Sequence, residues 1–375
     1  MATKIRFYPV GNGDSSQIIL ENGKRLLFDY RQVKSGEEEG SPTIDLATTL
    51  REELNDNDRD NFDVVAFTHG DDDHIAGSSD FFYLDHTKKY QGKDRIKISE
   101  LWVPAAMIIE EGPTEEARTL RQEARHRLRK NYGIRVFSKP ERLKEWLESE
   151  GLTVESRSHL ISDAGTIVPG YTLKADQVEF FVHSPFIKHC DGSEDIARNE
   201  SAIILHATFR ILGKETRYFI IGDSTWDVLS DIVNITRGHK NYERLLWDIY
   251  NIPHHCSYNS LAEEKGKEVT IPHPDVAWLL DQGQTNALLV CSSIPVPNDN
   301  ERKMPPHIQA KRTYDDIAGK KNAGSSVLVT GDSKDRYKNP TPIEIEISSD
   351  GCKRKLGPIG TASIVTSSRT ADRAG

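Results

Sequence analysis

The sequence predicts an α/β fold whose strands deliver polar side chains to one shared pocket. Two observations carry that expectation. Short apolar, β-branched runs alternate with stretches of helical spacing along the chain. Three of those runs end in groups of His and Asp: 63–67 before His69 to His74, 218–221 before Gly222-Asp223, and 248–252 before Pro253-His254-His255. The same layout at three separate places is far more specific than any one of them.

Thr68-His69-Gly70-Asp71-Asp72-Asp73-His74 is the densest of these stretches. Neutral imidazole and carboxylate suit zinc, manganese or iron, and a knot of negative charge is stabilised by a cation. Three aspartates alone would read as an acidic turn, since Gly-Asp-Asp-Asp is turn-like. Two histidines bracketing them, directly after an apolar strand, turn the reading to metal ligation.

Taken in order, 4–10, 16–20 and 25–29 are strand-like, and Gly11-Asn12-Gly13-Asp14 is turn chemistry between the first two. Asp14 reads equally as a hairpin-turn residue and as a site residue. Residues 43–54 have helical spacing with Thr43 as cap. The strand at 63–67 and the acidic motif follow, then a strand at 98–104. A helix begins near Pro113 with acids in its first turn and Gly133 to close it. Its basic residues, Arg118, Arg121, Arg125, Arg127, Arg129 and Lys130, read as a solvated, ion-paired face, or as a basic wall for a phosphate-bearing substrate. A strand at 134–137, a helix at 140–150, and strands at 178–182, 202–207, 218–221, 248–252 and 287–292 come next. A helix at 308–318 and strands at 326–330 and 343–347 complete a single domain over 1–350, with a helical insertion around 78–150. Residues 351–375 read as a disordered C-terminal tail, its last part small and polar.

With 375 residues the chain is long enough to bury a large core, and its net charge is −9. That balance argues against a high-affinity duplex binder, but not against nucleic acid or a nucleotide taken into a metal-lined cleft. No apolar run approaches the ~18 residues of a membrane span. The N-terminus enters a strand pattern at once, and Cys190, Cys256, Cys291 and Cys352 are widely spaced, so a cytoplasmic protein without a membrane partner is expected. No Gly-x-Ser-x-Gly elbow or phosphate-binding Gly-x-x-x-x-Gly-Lys loop is present.

The acidic motif resembles the His-x-His-x-Asp-His signature of the metallo-β-lactamase fold, with Asp71 where the second His usually stands. Val10-Gly11-Asn12-Gly13-Asp14-Ser15, the strand ending in Asp29, Gly222-Asp223, and His254-His255-Cys256-Ser257 are similar to the corresponding pieces of ComEC-like hydrolases. The resemblance implies a four-layer αββα sandwich and two divalent metal ions, Zn2+ or Mn2+. In that reading His69, Asp71 and Asp223 hold one ion. Asp73, His74, Asp223 and either His254 or His255 hold the other. Asp72 points away or acts behind the ligands. A further histidine ligand of the family has only weak candidates here, His183, His189 and Asn199, and His183 reads rather as a satisfied structural histidine. Cys256 stands in place of a glycine, as a small packed residue rather than a ligand or reactive thiol. His307 is a candidate for substrate contact or proton donation, alongside Asp73 as a catalytic residue.

The implied activity is metal-dependent hydrolysis, with a hydroxide shared by two ions ~3.5–4 Å apart as nucleophile. A phosphodiesterase or nuclease reading leads, because the first site is oxygen-rich and the motifs resemble those of ComEC-like hydrolases. Hydrolysis of a lactone, ester or other non-phosphodiester small molecule is the alternative, and a catalytically silent binding or regulatory module is a third. A basic rim of Lys88, Lys89, Lys311, Arg312 and the arginines at 118–129 converging on Asp73 would favour phosphate; scatter of those residues would favour the alternative.

Overall fold

The computed structural model describes residues 2–186 and 198–355. In chain order its strands are β1 (Thr3–Phe7), β2 (Ser16–Ile19), β3 (Arg25–Phe28), β4 (Asn61–Ala66), β5 (Lys97–Pro104), β6 (Ile134–Phe137) and β7 (Ile161–Ser162). They are followed by β8 (Val178–Ser184), β9 (Ile204–Ile211), β10 (Lys214–Ile221), β11 (Trp247–Ile252), β12 (Gly283–Cys291), β13 (Leu328–Val329), β14 (Ile343–Ser348) and β15 (Gly351–Lys355).

Two sheets form, in the orders β15-β14-β1-β2-β3-β4-β5-β6-β7 and β13-β12-β11-β10-β9-β8. Each strand buries alternate side chains on opposite faces. On β4, Val64 and Ala66 enter the core between the sheets, while Val65 joins the core beneath the helices at 46–55, 115–130 and 141–149. On β10, Tyr218 and Ile220 face the first sheet, and Phe219 and Ile221 pack under the helices at 226–238, 274–281 and 308–321. The architecture is therefore the expected four-layer αββα sandwich. Burial on both faces explains why the central strands read as continuous apolar runs rather than alternating ones. No helix among the described residues is long and apolar enough to cross a membrane.

Several local expectations shift. The first long helix runs Leu46–Asn55 and is capped by Asp45, whose side chain accepts from Thr48 N–H, rather than by Thr43. Ile44 N–H is drawn to the Pro9 carbonyl at 3.0 Å, which keeps the chain extended until Asp45. The basic helix, Glu115–Lys130, ends at Asn131 in the left-handed region (φ 63), before Gly133 is reached. Residues 78–150 also supply β5 and β6 to the first sheet. Residues 351–355, expected to belong to the tail, form β15, which pairs along β14 from Ser348↔Gly351 to Glu344↔Lys355. Residues 356–375 lie outside the described residues.

What positions the site is strand direction. β3, β4 and β5 are parallel neighbours, as are β10, β11 and β12. Their C-terminal ends open on the same crevice, the usual place for ligand-binding side chains in such sheets. The sheets are stitched together there: Ile203 N–H donates to the Thr68 carbonyl at 2.9 Å. A Cβ on Gly222 would lie 2.8 Å from Thr68 Oγ1, so only glycine allows β10 to approach so closely.

Candidate metal centre

His69 and His74 follow β4, Asp29 follows β3, Asp223 follows β10, and His254 and His255 follow β11. Asp14 arrives from the β1–β2 turn. Its N–H donates to the Asp73 carbonyl at 3.1 Å, an approach that a side chain at Gly13 would block, since a Cβ there would meet Asp73 O at 2.5 Å. Arg31 locks the same turn by donating to the Val10 and Asn12 carbonyls. Asn12 ties it to the far sheet, donating to Pro305 O and accepting from Ile294 N–H.

Four buried residues, Asp14, His74, Asp223 and His255, each offer one ligand atom within 4.8 Å of the others. Around them, His74 Nε2 lies 3.2 Å from Asp223 Oδ1, and His255 Nε2 lies 3.2 Å from Asp73 Oδ2 and 3.4 Å from Asp223 Oδ2. His69 Nε2 is 3.6 Å from Asp71 Oδ2. The Nε2 atoms of His69, His74 and His255, and Asp223 Oδ1, are buried without a hydrogen-bond partner. Their proximity is charge contact, not aligned hydrogen bonding.

The opposite ring nitrogens already have partners, so in the neutral rings Nε2 is the nitrogen left with the lone pair. His255 Nδ1–H donates to the Ser292 carbonyl at 2.8 Å. His74 Nδ1–H donates to Asp29 Oδ2 at 2.8 Å. His69 Nδ1 contacts Thr68 Oγ1 at 3.1 Å, and that hydroxyl donates onward to Asp29 Oδ2 at 2.7 Å. Asp29 also accepts from Thr68 N–H, so one carboxylate orients two imidazoles. Fixing the tautomer through Nδ1 leaves Nε2 free for a cation.

The electrostatics agree. Burial pushes Asp14 up to about 6. Burial would also raise Asp223 and Asp73, but the neighbouring imidazoles of His255 and His74 outweigh it and hold both carboxyls below their usual range. Conversely, burial lowers His74 and His255, yet Asp223 raises both well above the usual imidazole value. His69, buried and beside His74, is lowered to about 4. Each buried ion costs several kcal/mol in lost hydration unless paired. A divalent cation among the Nε2 atoms balances these carboxylates without protonating the rings.

The two neighbouring histidines are now distinguishable. His255 is buried within the four-residue cluster; His254 stands outside it, 21 % exposed, with Nε2 3.7 Å from Asp223 Oδ2. His254, His255 and Cys256 all have left-handed backbone (φ 51, 50 and 66). Such residues cost of order 1–3 kcal/mol each and persist only where the surroundings impose them. Cys256 is fully buried in the core beneath the outer helices, as a small packed residue. Asp72 is exposed.

Other expected site residues stand apart. His307 packs beside the His254–Cys256 turn: its backbone N–H donates to the Cys256 carbonyl at 3.0 Å, Nδ1 accepts from Tyr258 N–H at 3.4 Å, and Nε2 donates to the Lys303 carbonyl at 3.2 Å. With both nitrogens engaged, it is not brought into the cluster. His183 is a structural histidine, with Nε2 on the Arg244 carbonyl at 2.9 Å. His189 lies outside the described residues. The basic residues do not converge on Asp73. Arg121 and Arg125 donate to Ile108 O, Arg129 pairs with Glu150, Lys311 with Asp315 and Arg312 with Glu268. Arg127 is buried against Glu123 rather than solvated. Two other cations approach the acidic motif: Arg198 contacts Asp71 through Nε, and Arg31, on the Gly11–Asp14 turn, lies in the field of Asp73 and Asp72. Nothing local marks Arg198, because Asp71 is 127 residues away in sequence.

No family model matches the chain, and no curated protein sequence matches it. Among solved structures it is similar to a diphosphatase of the PhnP family (11% identity, TM-score 0.34, covering 92% of this chain and 99% of that one). It is also similar to a quorum-quenching N-acyl homoserine lactone lactonase (9%, TM-score 0.32, covering 65% and 90%). A third is the metallo-β-lactamase GOB-18 from Elizabethkingia meningoseptica (13%, TM-score 0.32, covering 74% and 84%).

Proposed function

We propose that this chain is a metal-dependent hydrolase, with a phosphodiester in a nucleic acid or nucleotide as its leading substrate class. The observation that carries the reading is the convergence of three buried imidazole Nε2 atoms, each with its Nδ1 already committed, on carboxylates delivered by both sheets. Asp73, His74, Asp223, His255 and Asp14 would hold one divalent ion, and His69 and Asp71, with Asp223, a second. Four carboxylates in the set make it oxygen-rich, which suits Mn2+ as well as Zn2+. Ions bound there would supply Lewis acidity, lowering the pKa of water and polarising the oxygen that gains charge on phosphorus.

The protein's own part is positional. Asp29, Thr68 and Ser292 hold the rings in register. The clamped turn at Gly11–Asp14 closes one wall. His254, 21 % exposed beside Asp223, would be the imidazole left over to exchange a proton with the leaving group. A second reading, hydrolysis of a lactone or ester, is favoured by the scatter of the lysines and arginines, since those substrates need no basic rim.

Metal analysis of the purified chain, paired with turnover of bis-p-nitrophenyl phosphate and of a lactone, tests both. Phosphodiester turnover that requires metal and vanishes in Asp223→Asn supports the first reading. Metal-dependent lactone turnover alone transfers the assignment to the second. Failure to take up metal sinks both.

A further inference from the structure

The two ends of the cluster are unequal. At one end, Asp14, His74, Asp223 and His255 are all buried with donor atoms within 4.8 Å of one another, and Asp73, 35 % exposed, sits beside them with its carboxylate on His255 and no cation on it among the described residues. The buried carboxylates have already lost their water and are held by packing. At the other end, His69 is equally buried, but Asp71 is not: its side chain is 30 % exposed. Asp71 divides its oxygens, with Oδ2 3.6 Å from His69 Nε2 and Oδ1 taken by Arg198 Nε. Arg198 is itself 37 % exposed.

We propose that Arg198 competes with a divalent ion for Asp71, so that the His69–Asp71 end loads second and only as the guanidinium lets go. This rests on the metal-centre reading above. Two chemical facts support it. A guanidinium cannot be neutralised near pH 7, so it leaves only by swinging away. An exposed ion pair is weak enough to be displaced by a better ligand set, which includes the lone pair of His69. An ion on Oδ2 with Arg198 still on Oδ1 would face a positive charge ~4 Å away, which repels appreciably even after screening and favours release of the guanidinium.

The experiment is titration of the stripped full-length chain with Mn2+, followed by calorimetry and by electron paramagnetic resonance, which separates isolated from spin-coupled ions. Wild type should bind in two steps of unequal affinity, the coupled signal appearing with the second. Arg198→Ala should tighten the second step by about 10-fold or more and leave the first unchanged. Arg198→Lys, which keeps the charge, should stay near wild type. Asp71→Asn should remove the second step alone. A second step unmoved or weakened in Arg198→Ala, or a single step in both proteins, overturns the proposal while leaving the metal centre intact. No Mn2+ or Zn2+ binding in wild type would instead remove the metal centre, and this inference with it.

Discussion

His183 and His206 are buried as deeply as His74 and His255 and lie in the same sandwich, yet their rings face opposite chemistry. His206 Nε2 donates to the Leu246 carbonyl at 2.8 Å, and His183 Nε2 to the Arg244 carbonyl at 2.9 Å. Among the described residues no carboxylate opposes either ring. Burial therefore lowers His206 to about 3 and His183 to about 4. At the strand ends, burial acts on His74 and His255 in the same direction, but Asp223 overrides it. The lesson is that burial does not make a histidine a ligand. What matters is whether Nδ1 or Nε2 satisfies the backbone, and what faces the nitrogen left over.

The largest effect should come from emptying the carboxylate side of that contrast. Asp223→Asn or His255→Ala should weaken metal retention by more than ~100-fold, beyond the loss usual for an outer partner, with activity falling in parallel. Inductively coupled plasma mass spectrometry would read it, and full metal retention in both variants would break the contrast.

Next come the residues that fix the tautomers. Asp29→Asn should lower metal affinity by about 10–100-fold, because it weakens the support of His74 directly and of His69 through Thr68. Thr68→Val should act in the same direction through His69. Competition with a chelator of known affinity measures both.

The structural pair should respond in stability and not in metal content. His206→Leu leaves the Leu246 carbonyl without its donor, at a cost of about 1–3 kcal/mol. The pair also predicts a pH slope. Its folded pKa values, about 4 and about 3, lie below the ~6.5 of an unfolded histidine. The unfolded chain thus takes up protons first on acidification. The contribution is complete above ~6.5 and is lost as pH falls through that value toward the folded ones. Chemical denaturation between pH 7 and pH 5 should show a shallower slope in His206→Leu than in wild type; equal slopes would discard the assignment.

The smallest effect is expected at Cys256. Cys256→Gly relieves a left-handed residue but removes a buried side chain, so the change should stay within about 1 kcal/mol by thermal denaturation.

Much of this was legible along the chain. Strands buried on both faces announce themselves as apolar runs, and ligands at strand ends as breaks in those runs, which is why His69, Asp73, His74 and Asp223 could be singled out from the sequence. The helix at 226–238 and the edge strand β15 were not, because neither carries a signal as strong as a central strand. The caps at Asp45 and Asn131 depended on where tertiary hydrogen bonds released the chain.

The sequence by itself determined the layered α/β fold and the kind of donor at each strand end, because side-chain periodicity and ligand type are local properties. Only the tertiary structure set His255 rather than His254 in the buried cluster, brought Asp14 into it, put Asp29 behind His74, and set Arg198 on Asp71. Each of those is a contact between residues far apart in the chain, and it exists because two sheets close on one another around a shared core.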